Sequence, residues 1–255
     1  MNPESSPIAL VTGATSGIGR AAAVALAKAG YRIIAAGRRQ ERLLELQAQI
    51  GQELVLPLVF DVRNQPAVEA ALNSIPESWR AVKLLLNNAG NAHGLSPIQD
   101  GNLADWDAMI DGNVKGLLYV TKAALPLLRA AGNSHIINIG SIAGKEVYAN
   151  GNVYCASKFA VDALTKAMRI DLLPENIKVS EINPGLVETE FSEVRFKGDT
   201  DRAATVYQGY QPLRPDDIAD LIVFMVSRPA HVNVAEVLVL PAAQASATVL
   251  NKRSS

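Results

Sequence analysis

A short apolar run that leads directly into three glycines restricts the fold of this chain more than any other feature. Ile8–Thr12 predicts a buried strand, and a helical pattern follows from Ile18 to Ala29. Gly13, Gly17 and Gly19 occupy the junction in the spacing Gly-x-x-x-Gly-x-Gly. Glycines at such a turn let the backbone approach a pyrophosphate, and the helix N-terminus attracts its negative charge. The combination predicts a nucleotide-binding unit; the alternative is a turn with a purely structural role.

The remaining chain alternates between strand and helix patterns. Apolar runs predict strands near residues 31–36, 54–60, 82–86, 135–140, 177–182 and 236–240. Helical patterns lie near residues 40–50, 65–74, 103–131 and 216–227, and around Tyr154. This alternation predicts an α/β, single-domain Rossmann fold over residues 1–255, with a doubly wound, parallel, seven-stranded sheet and helices on both faces. Residues 186–211 form a long polar excursion of weak periodicity, which predicts a lid over the substrate.

Composition excludes several functional classes. The chain has 255 residues and a net charge of −1, with acidic and basic residues interspersed, so neither nucleic acid nor a membrane surface is an expected partner. No apolar run approaches the ~20 residues of a membrane span, and residues 1–7 lack signal-peptide features, so we expect a cytoplasmic protein. The single cysteine, Cys155, excludes an internal disulfide. We interpret it as a packing thiol, and we predict no metal site.

Two arginines, Arg38 and Arg39, follow the second predicted strand. Many NAD-binding proteins place an acidic residue there to contact the ribose 2′-hydroxyl. A carboxylate would repel a 2′-phosphate, whereas a guanidinium binds one through two hydrogen bonds. The arginines therefore predict NADP(H) as cofactor, with Arg38 the stronger candidate. The alternative is that they merely open an exposed, charged helix over residues 40–50.

Polar residues also follow the later strands. Asp61 either contacts the adenine of the cofactor or caps the turn that follows it. Asn87–Gly90 leave the fourth strand, where asparagine side chains fix neighbouring backbone. Asn113 stands in an otherwise apolar helical stretch, where it bends the helix, binds water or is exposed. Ser141 follows the fifth strand. Because ligands bind at the carboxyl ends of parallel strands, we expect the strand-end residues to meet at one edge of the sheet.

Tyr154 and Lys158 are the candidate acid–base pair. At positions i and i+4 of a helix they share one face, with Cβ atoms roughly 5–6 Å apart. A phenol with a pKa near ~10 is a poor acid or base at neutral pH, and a nearby ammonium lowers that pKa toward the range used in general acid–base catalysis. Ser141 could hydrogen-bond the oxygen whose proton moves. The alternative is chance, since Tyr-x-x-x-Lys occurs in many helices.

Taken together, these motifs resemble the short-chain dehydrogenase/reductase family along the whole chain. The matching pieces are Thr12–Gly19, Asn87–Gly90, Asn113, Ser141, Tyr154-x-x-x-Lys158 and Pro184-Gly185. The resemblance implies that Tyr154 is the acid/base and that Lys158 binds the nicotinamide ribose and lowers the pKa of Tyr154. It also implies that Ser141 holds the substrate oxygen and that Asn113 keeps a water in a proton relay. The implied cofactor contacts are Gly13, Thr15, Ser16, Gly17, Ile18, Gly19, Arg38, Arg39, Asp61, Val62, Asn88, Ala89, Gly90, Tyr154, Lys158, Pro184, Gly185, Val187 and Thr189.

Within that family, the chain is similar to the NADP-dependent 3-hydroxy acid dehydrogenases, also called serine 3-dehydrogenases or L-allo-threonine dehydrogenases. The segments that carry this similarity are residues 37–43, 136–141, 191–199 and 229–233. The chain departs from the subgroup over residues 186–191 and 245–255, where substrate choice is decided. The similarity implies a homotetramer in which the Tyr154 helix and the helix before it pack between subunits.

The expected reaction is reversible hydride transfer between NADP(H) and the 3-position of a small 3-hydroxy acid, such as serine, L-allo-threonine, 3-hydroxyisobutyrate or 3-hydroxypropionate. Two cations in the predicted lid, Arg195 and Lys197, could bind the carboxylate, with Arg195 the first candidate. The alternative is that they pair with Glu190, Glu193 or Asp199 on the surface. Rival functions are a reductase of other ketones, sugars or 3-oxoacyl thioesters, and a non-catalytic NADP(H)-binding sensor.

Overall fold

Seven strands form one parallel sheet in the computed structural model of the protein, which describes residues 6–252 except the side chain of Ala203. The strands are β1 (Ile8–Thr12), β2 (Arg32–Gly37), β3 (Val55–Val59), β4 (Val82–Asn87), β5 (His135–Ile139), β6 (Lys178–Pro184) and β7 (Glu236–Val239). Their order across the sheet is β3-β2-β1-β4-β5-β6-β7. The predicted α/β Rossmann fold with a parallel, seven-stranded sheet is confirmed. The predictions for residues 1–5 and 253–255 lie outside the described residues.

Helices connect the strands and cover the sheet. They are α1 (Gly17–Lys28), α2 (Gln40–Ile50), α3 (Gln65–Asn73), α4 (Leu103–Ile110), α5 (Gly116–Ala131), α6 (Asn152–Asp171), α7 (Phe191–Arg195), α8 (Thr200–Thr205) and α9 (Pro215–Val226). Within residues 6–252, none has the length and apolar character that a bilayer crossing requires. The strand order reverses between β1 and β4, and ligands of such sheets bind in the crevice at the carboxyl ends beside this reversal.

Alternate residues of the central strands pack on opposite faces of the sheet. In β1, Val11 belongs to the core beneath α1 and α9, whereas Leu10 belongs to the core beneath α3 and α5. Leu26 of α1 and Leu128 of α5 are fully buried in these two cores. Burial of each such leucine contributes about 1.5–3 kcal/mol to the stability of the fold. The two cores hold the strands rigidly and thereby position the loops at their carboxyl ends.

The prediction of one continuous helix over residues 103–131 is wrong, because the helix is interrupted near its middle. A π-helical turn at Asp111–Lys115 separates α4 from α5. Asn113 in this turn is buried, and its side-chain carbonyl accepts a 2.7 Å hydrogen bond from the backbone N–H of Asn91. Its amide donates to the backbone carbonyl of Asn91 at 2.8 Å. The helix is interrupted because Asn113 is tied to the loop after β4, and the alternative that Asn113 is exposed is wrong.

The predicted lid contains two short helices, α7 and α8. Backbone hydrogen bonds hold it at its base and at Arg195. At its base, the N–H of Glu188 donates to the carbonyl of Leu213 at 2.8 Å, and the N–H of Leu213 donates to the carbonyl of Leu186 at 3.0 Å. At its other side, the N–H of Gly94 donates to the carbonyl of Arg195 at 3.0 Å. The lid therefore forms one wall of the cleft at the carboxyl edge of the sheet.

Candidate active site

A cavity of about 480 Å³ lies at the carboxyl edge of the sheet, between the strand ends and the lid. Most of the predicted site residues line it, namely Gly13, Thr15, Ser16, Gly17, Ile18, Arg38, Arg39, Asp61, Val62, Asn88, Ala89, Gly90, Ser141, Tyr154, Lys158, Pro184, Gly185, Val187, Thr189 and Arg195. Gly19 and Asn113 were predicted with them but do not line the cavity. Sequence reasoning missed Tyr148, Tyr207 and Gln244, which do line it and which belong to no recognisable motif.

The turn after β1 is shaped by two glycines and by Asn88. Gly13 and Gly17 have φ angles of 66° and 51°, in the left-handed region that favours glycine. The Asn88 side chain donates to the Thr12 carbonyl at 2.9 Å, and the Asn88 backbone N–H donates to the Thr12 hydroxyl at 3.0 Å. The turn and the N-terminus of α1 thus face the cavity, in an arrangement that fits the pyrophosphate of a dinucleotide.

Gly19 lies behind this turn and has a packing role. A Cβ atom at position 19 would stand 2.4 Å from the carbonyl oxygen of Gly13 and 2.4 Å from Nδ2 of Asn88. The first turn of α1 therefore packs directly on the glycine turn and on the loop after β4. Glycine at this position permits that close approach, although its own backbone lies outside the cavity wall.

Arg39 is the arginine that reaches the glycine turn. Its guanidinium donates to the hydroxyl of Thr15 at 3.1 Å and to the hydroxyl of Ser16 at 2.8 Å. It also pairs with Glu190 of the lid at 3.0 Å. These contacts place a cation at the end of β2, where the 2′-phosphate of NADP(H) would need one. Arg39 therefore does more than begin an exposed, charged helix, because it contacts the glycine turn and the lid.

Arg38 was expected to be the stronger contact of the 2′-phosphate. It is the more exposed of the two arginines and lies 3.9 Å from Asp61. Arg63 donates to the Asp61 carboxylate at 2.6 Å, and the backbone N–H of Arg63 donates to the same carboxylate at 3.0 Å, which closes the turn after β3. Burial acts to raise the pKa of Asp61, but the hydrogen bonds from Arg63 outweigh it and the pKa is lowered. Asp61 therefore caps its turn and also lines the cavity.

Ser141 and Tyr154 meet in the cavity, as the sequence predicts. The backbone N–H of Ser141 donates to the side-chain carbonyl of Asn183 at 3.0 Å, and its hydroxyl accepts from the N–H of Ala143 at 3.1 Å. Both residues line the cavity, and the Ser141 side chain acts to lower the pKa of the Tyr154 phenol. A hydroxyl beside a phenol is an arrangement that can hold a carbonyl oxygen while a proton is transferred to it.

The direction expected for the pKa of Tyr154 is wrong. Burial raises this pKa above its ordinary value, and the neighbouring Tyr148 phenol acts in the same direction. The Ser141 side chain and the charge of Arg195 oppose the increase but do not reverse it. The helical spacing placed an ammonium on the correct face, but it carried no information about burial of the phenol.

Lys158 is directed toward the end of β5. Its ammonium donates to the backbone carbonyl of Ile139 at 2.9 Å. Burial lowers the pKa of Lys158 to about 8, because removing an ammonium from water disfavours its charged form. Lys158 and Tyr154 line the same cavity, yet the phenol is governed by its burial rather than by the lysine charge.

Arg195 of α7 faces the cavity. Its guanidinium donates to the Tyr148 hydroxyl at 2.7 Å, and its central carbon lies 5.4 Å from the ring centres of both Tyr148 and Tyr154. Among the described residues, Arg195 forms no ion pair with Glu190, Glu193 or Asp199. The alternative that it pairs with these carboxylates on the surface is therefore wrong. Lys197 instead pairs with Asp105 at 2.9 Å.

The profile of one protein family, described as short chain dehydrogenase, matches residues 7–199. The chain belongs to the short-chain dehydrogenase family. The family predicted from the glycine turn, the strand-end asparagines and the Tyr-x-x-x-Lys motif is confirmed.

Two proteins and one solved structure are similar to this chain over nearly its whole length. The sulfoacetaldehyde reductase 2 of Chromohalobacter salexigens is 46% identical over 242 residues, which are 94% of this chain and 96% of that protein. The NADP-dependent 3-hydroxy acid dehydrogenase YdfG of Salmonella typhi is 44% identical over 248 residues, or 97% of this chain and 100% of that protein. A solved structure, the closed form of serine dehydrogenase complexed with NADP+, is similar with a TM-score of 0.91 and 43% identity, covering 97% of this chain and 100% of that chain.

In this short-chain dehydrogenase, part of the cavity wall lies beyond the residues that match the family profile. The Tyr207 hydroxyl donates to the Val187 carbonyl at 2.9 Å, and the Gln244 side-chain carbonyl accepts from the N–H of Leu186 at 3.0 Å. Both residues thus hold the start of the lid against the strand ends. Their positions depend on the fold of the lid, which local sequence patterns do not describe.

Two further predicted residues lie behind the cavity. Asn113 donates to the hydroxyl of Ser157 at 3.0 Å, and Ser157 donates to the backbone carbonyl of Tyr154 at 2.7 Å. Asn113 is therefore connected to the first turn of the helix that carries the tyrosine.

Cys155 is buried in a small apolar cluster with Met109, which confirms that it is a packing thiol.

Proposed function

We propose that the protein transfers a hydride between NADP(H) and the 3-position of a small 3-hydroxy acid of the serine, L-allo-threonine, 3-hydroxyisobutyrate or 3-hydroxypropionate type. The observation that carries the proposal is that Ser141, Tyr154 and Arg195 line one cavity, with the guanidinium 5.4 Å from the tyrosine ring. A hydroxyl and a phenol suit a carbonyl oxygen, and a guanidinium suits a carboxylate held beside it. The names of the Salmonella typhi relative and of the solved serine dehydrogenase support this substrate class.

The proposed cofactor is NADP(H), which supplies or accepts the hydride when bound. The glycine turn and the N-terminus of α1 fit its pyrophosphate, and Arg38 and Arg39 provide cations for its 2′-phosphate. The solved serine dehydrogenase, complexed with NADP+, supports the same choice. The further contacts we propose are Asp61, Val62, Asn88, Ala89, Gly90, Pro184, Gly185, Val187 and Thr189.

The proton chemistry is proposed for the residues of the chain itself. During reduction Tyr154 gives its phenolic proton to the carbonyl oxygen of the oxo acid and becomes a phenolate. During oxidation the phenolate form of Tyr154 takes the proton of the substrate hydroxyl. Ser141 donates a hydrogen bond to that oxygen and so opposes the negative charge that develops there. Lys158 presents an ammonium for the nicotinamide ribose. Asn113 is proposed to support a proton relay from behind the Tyr154 helix.

A small aldehyde that carries a sulfonate is the second candidate substrate. The 46% identical relative is named sulfoacetaldehyde reductase 2, and a guanidinium that matches a carboxylate also presents donors to sulfonate oxygens. Neutral ketones, sugars and 3-oxoacyl thioesters have no small anion for Arg195 to hold. A non-catalytic NADP(H) sensor would have no need for the Ser141–Tyr154 pair.

Steady-state kinetics on the purified protein test the proposal. Rates on serine, 3-hydroxyisobutyrate and 3-hydroxypropionate with NADP+, and on sulfoacetaldehyde with NADPH, are compared with rates on neutral alcohols and ketones of the same size. We expect kcat/KM to be about tenfold or more higher for one anionic class, the effect of roughly 1.4 kcal/mol of recognition. Equal values for the neutral compounds would reject an acid substrate. Tight NADPH binding without turnover on any compound would favour the sensor.

We also propose a single-domain subunit that forms a cytoplasmic homotetramer. Leu118 of α5 and Phe159 of α6 are apolar and exposed by 38% and 41%, which supports subunit contacts on this pair of helices. Light scattering during gel filtration would test the assembly, and a monomer mass at micromolar concentration would reject it.

A further inference from the structure

A second cavity, of about 270 Å³, adjoins the active-site cavity, and we call it the side chamber. Its walls come from the loop after β4, from α4, from the start of α6 and from the lid, and they include Leu95, Trp106, Met109, Asn152 and Lys197. Within residues 6–252, three residues line both the side chamber and the active-site cavity, namely Tyr154, Arg195 and Phe196. The two spaces therefore meet at the candidate proton donor and at the candidate anion contact.

The side chain of Arg195 stands between the two spaces. Its guanidinium donates to the hydroxyl of Tyr148 at 2.7 Å, and Tyr148 lines the active-site cavity but not the side chamber. Its Nε donates to the backbone carbonyl of Gly94 at 3.4 Å, and Gly94 lines the side chamber but not the active-site cavity. One side chain thus connects the wall of one space to the wall of the other, and it acts as a partition.

The backbone at position 195 is held without this side chain. The carbonyl of Arg195 accepts a 3.0 Å hydrogen bond from the N–H of Gly94, and the N–H of Phe196 donates to the carbonyl of Ser192 at 3.0 Å. Position 195 is also the last residue of α7, and alanine favours a helix. We therefore expect a short side chain at position 195 to leave the lid in place and to remove only the partition.

The walls of the side chamber suit an apolar chain. Two of its polar contacts are satisfied within the protein, because Lys197 pairs with Asp105 at 2.9 Å and the Asn152 amide donates to the Ser96 carbonyl at 2.9 Å. Apolar surface beside them comes from Leu95, Trp106, Met109 and Phe196. An alkyl chain could enter without separating either polar pair, so its burial would carry little desolvation cost.

We propose that Arg195 limits substrate length by closing the active-site cavity off from the side chamber, which would otherwise take the alkyl chain of a longer carbonyl compound. The inference rests on the proposed function, in which Tyr154 protonates the carbonyl oxygen and Arg195 binds a small anion. The side chain that holds the carboxylate also blocks the space beyond it. Selection for an anion and selection for a small substrate therefore depend on the same residue.

Variants that differ in the length and the charge of side chain 195 test the inference. With NADPH, kcat/KM is measured for neutral methyl ketones from butanone to octan-2-one. In Arg195→Ala it should rise by up to about fourfold for each methylene that enters the side chamber, the effect expected of burying a methylene. In the parent it should not rise with length. Arg195→Met is the matched control, because it loses the charge but keeps a long side chain, and its values should not rise either.

Tryptophan fluorescence locates the alkyl chain without turnover. Trp106 lines the side chamber but not the active-site cavity. The other tryptophan, Trp79, stacks on the guanidinium of Arg32 at 4.3 Å and is replaced by phenylalanine in every protein compared. A methyl ketone with a terminal bromine, bound together with NADP+, should quench Trp106 saturably in Arg195→Ala, and excess octan-2-one should remove the quenching. The parent and Arg195→Met should show much less saturable quenching.

Equal length profiles in Arg195→Ala and Arg195→Met would overturn the inference, whether both stay flat or both rise. Saturable quenching of Trp106 that is as strong in the parent as in Arg195→Ala, or absent from both, has the same consequence. If Arg195→Ala does not fold, Arg195→Ser takes its place in both measurements. A parent protein without oxidoreductase activity on any compound removes the proposed function instead, and the fluorescence still reports whether Arg195 closes the side chamber.

Discussion

Arg39 and Glu190 form a 3.0 Å ion pair that joins the cofactor end of the candidate active site to the start of the lid. The same guanidinium donates to the hydroxyls of Thr15 and Ser16 in the glycine turn. Glu190 has a second partner in Arg42, at 3.2 Å. A 2′-phosphate near the end of β2 would therefore compete with Glu190 for Arg39. Arg39 thus contacts both the glycine turn and the start of the lid.

Replacement of Arg39 by alanine should weaken NADPH binding about tenfold or more and NADH binding much less. The reason is that a charge-assisted hydrogen bond contributes about 1.5–3 kcal/mol and only NADPH has the 2′-phosphate. Fluorescence titration with both nucleotides measures the effect. Arg42→Ala is the control, because it removes the other partner of Glu190 and Arg42 does not line the cavity. Equal losses for both nucleotides in Arg39→Ala would show that Arg39 only supports the fold.

Replacement of Arg195 by methionine should raise KM for anionic substrates about tenfold or more while leaving KM for neutral alcohols nearly unchanged. The guanidinium points at the rings of Tyr148 and Tyr154, so its loss removes binding energy without removing the proton donor. Lys197→Met provides the comparison, since Lys197 is in the same lid but pairs with Asp105. An equal rise in KM for acids and neutral alcohols would contradict a carboxylate or sulfonate contact at Arg195.

The sequence was sufficient to place the strands and the residues at their carboxyl ends. Strand positions could be predicted because each strand is an apolar run bounded by glycine or polar residues, as in the segment that ends at Gly37. Ser141 could be placed near Tyr154 because both the end of β5 and the start of α6 belong at the same edge of a parallel sheet. These are consequences of local pattern and topology alone.

Other features of the site depend on contacts between distant segments and could not be predicted. Tyr148 reaches Arg195, 47 residues later, only because the lid folds over it. The π-helical turn depends on Asn113 finding the backbone of Asn91. The raised pKa of Tyr154 follows from burial by several elements, whereas the i, i+4 spacing reports only which face of a helix the phenol shares with Lys158.

Replacement of Tyr154 by phenylalanine should lower kcat by about 10²- to 10⁴-fold, the usual contribution of a general acid or base, while NADPH still binds. Stopped-flow reduction of the favoured substrate and fluorescence titration of NADPH measure the two properties separately. Tyr148→Phe is the matched variant, because its phenol contacts Arg195 and its loss should act mainly on KM for anions. Retention of near-parental kcat in Tyr154→Phe would exclude the phenol as the proton donor.

A buried histidine makes the stability of the fold depend on pH. His135 of β5 is 5% exposed, and its Nε2 lies 2.7 Å from the hydroxyl of Ser180. Ser180 donates its own proton to the side-chain carbonyl of Asn233 at 2.8 Å, so the histidine nitrogen is the donor in the first contact. Burial, with a smaller contribution from the charge of Lys178, lowers the pKa of His135 to about 3. The folded protein therefore holds this imidazole in its neutral form.

The free energy of unfolding should fall as pH decreases from about 6.5 toward 3, because over that range the unfolded chain binds a proton at His135 that the folded protein does not. The slope from this group is roughly 1.4 kcal/mol per pH unit, and its contribution is fully present above pH 6.5. Urea unfolding at a series of pH values measures the contribution of His135 as the difference in free energy of unfolding between the parent and His135→Gln. The carboxyl groups titrate equally in both proteins and cancel in that difference. His231→Gln, at an exposed position, should reproduce the parent curve. A difference between the parent and His135→Gln that stays constant with pH would show that folding does not lower the pKa of His135.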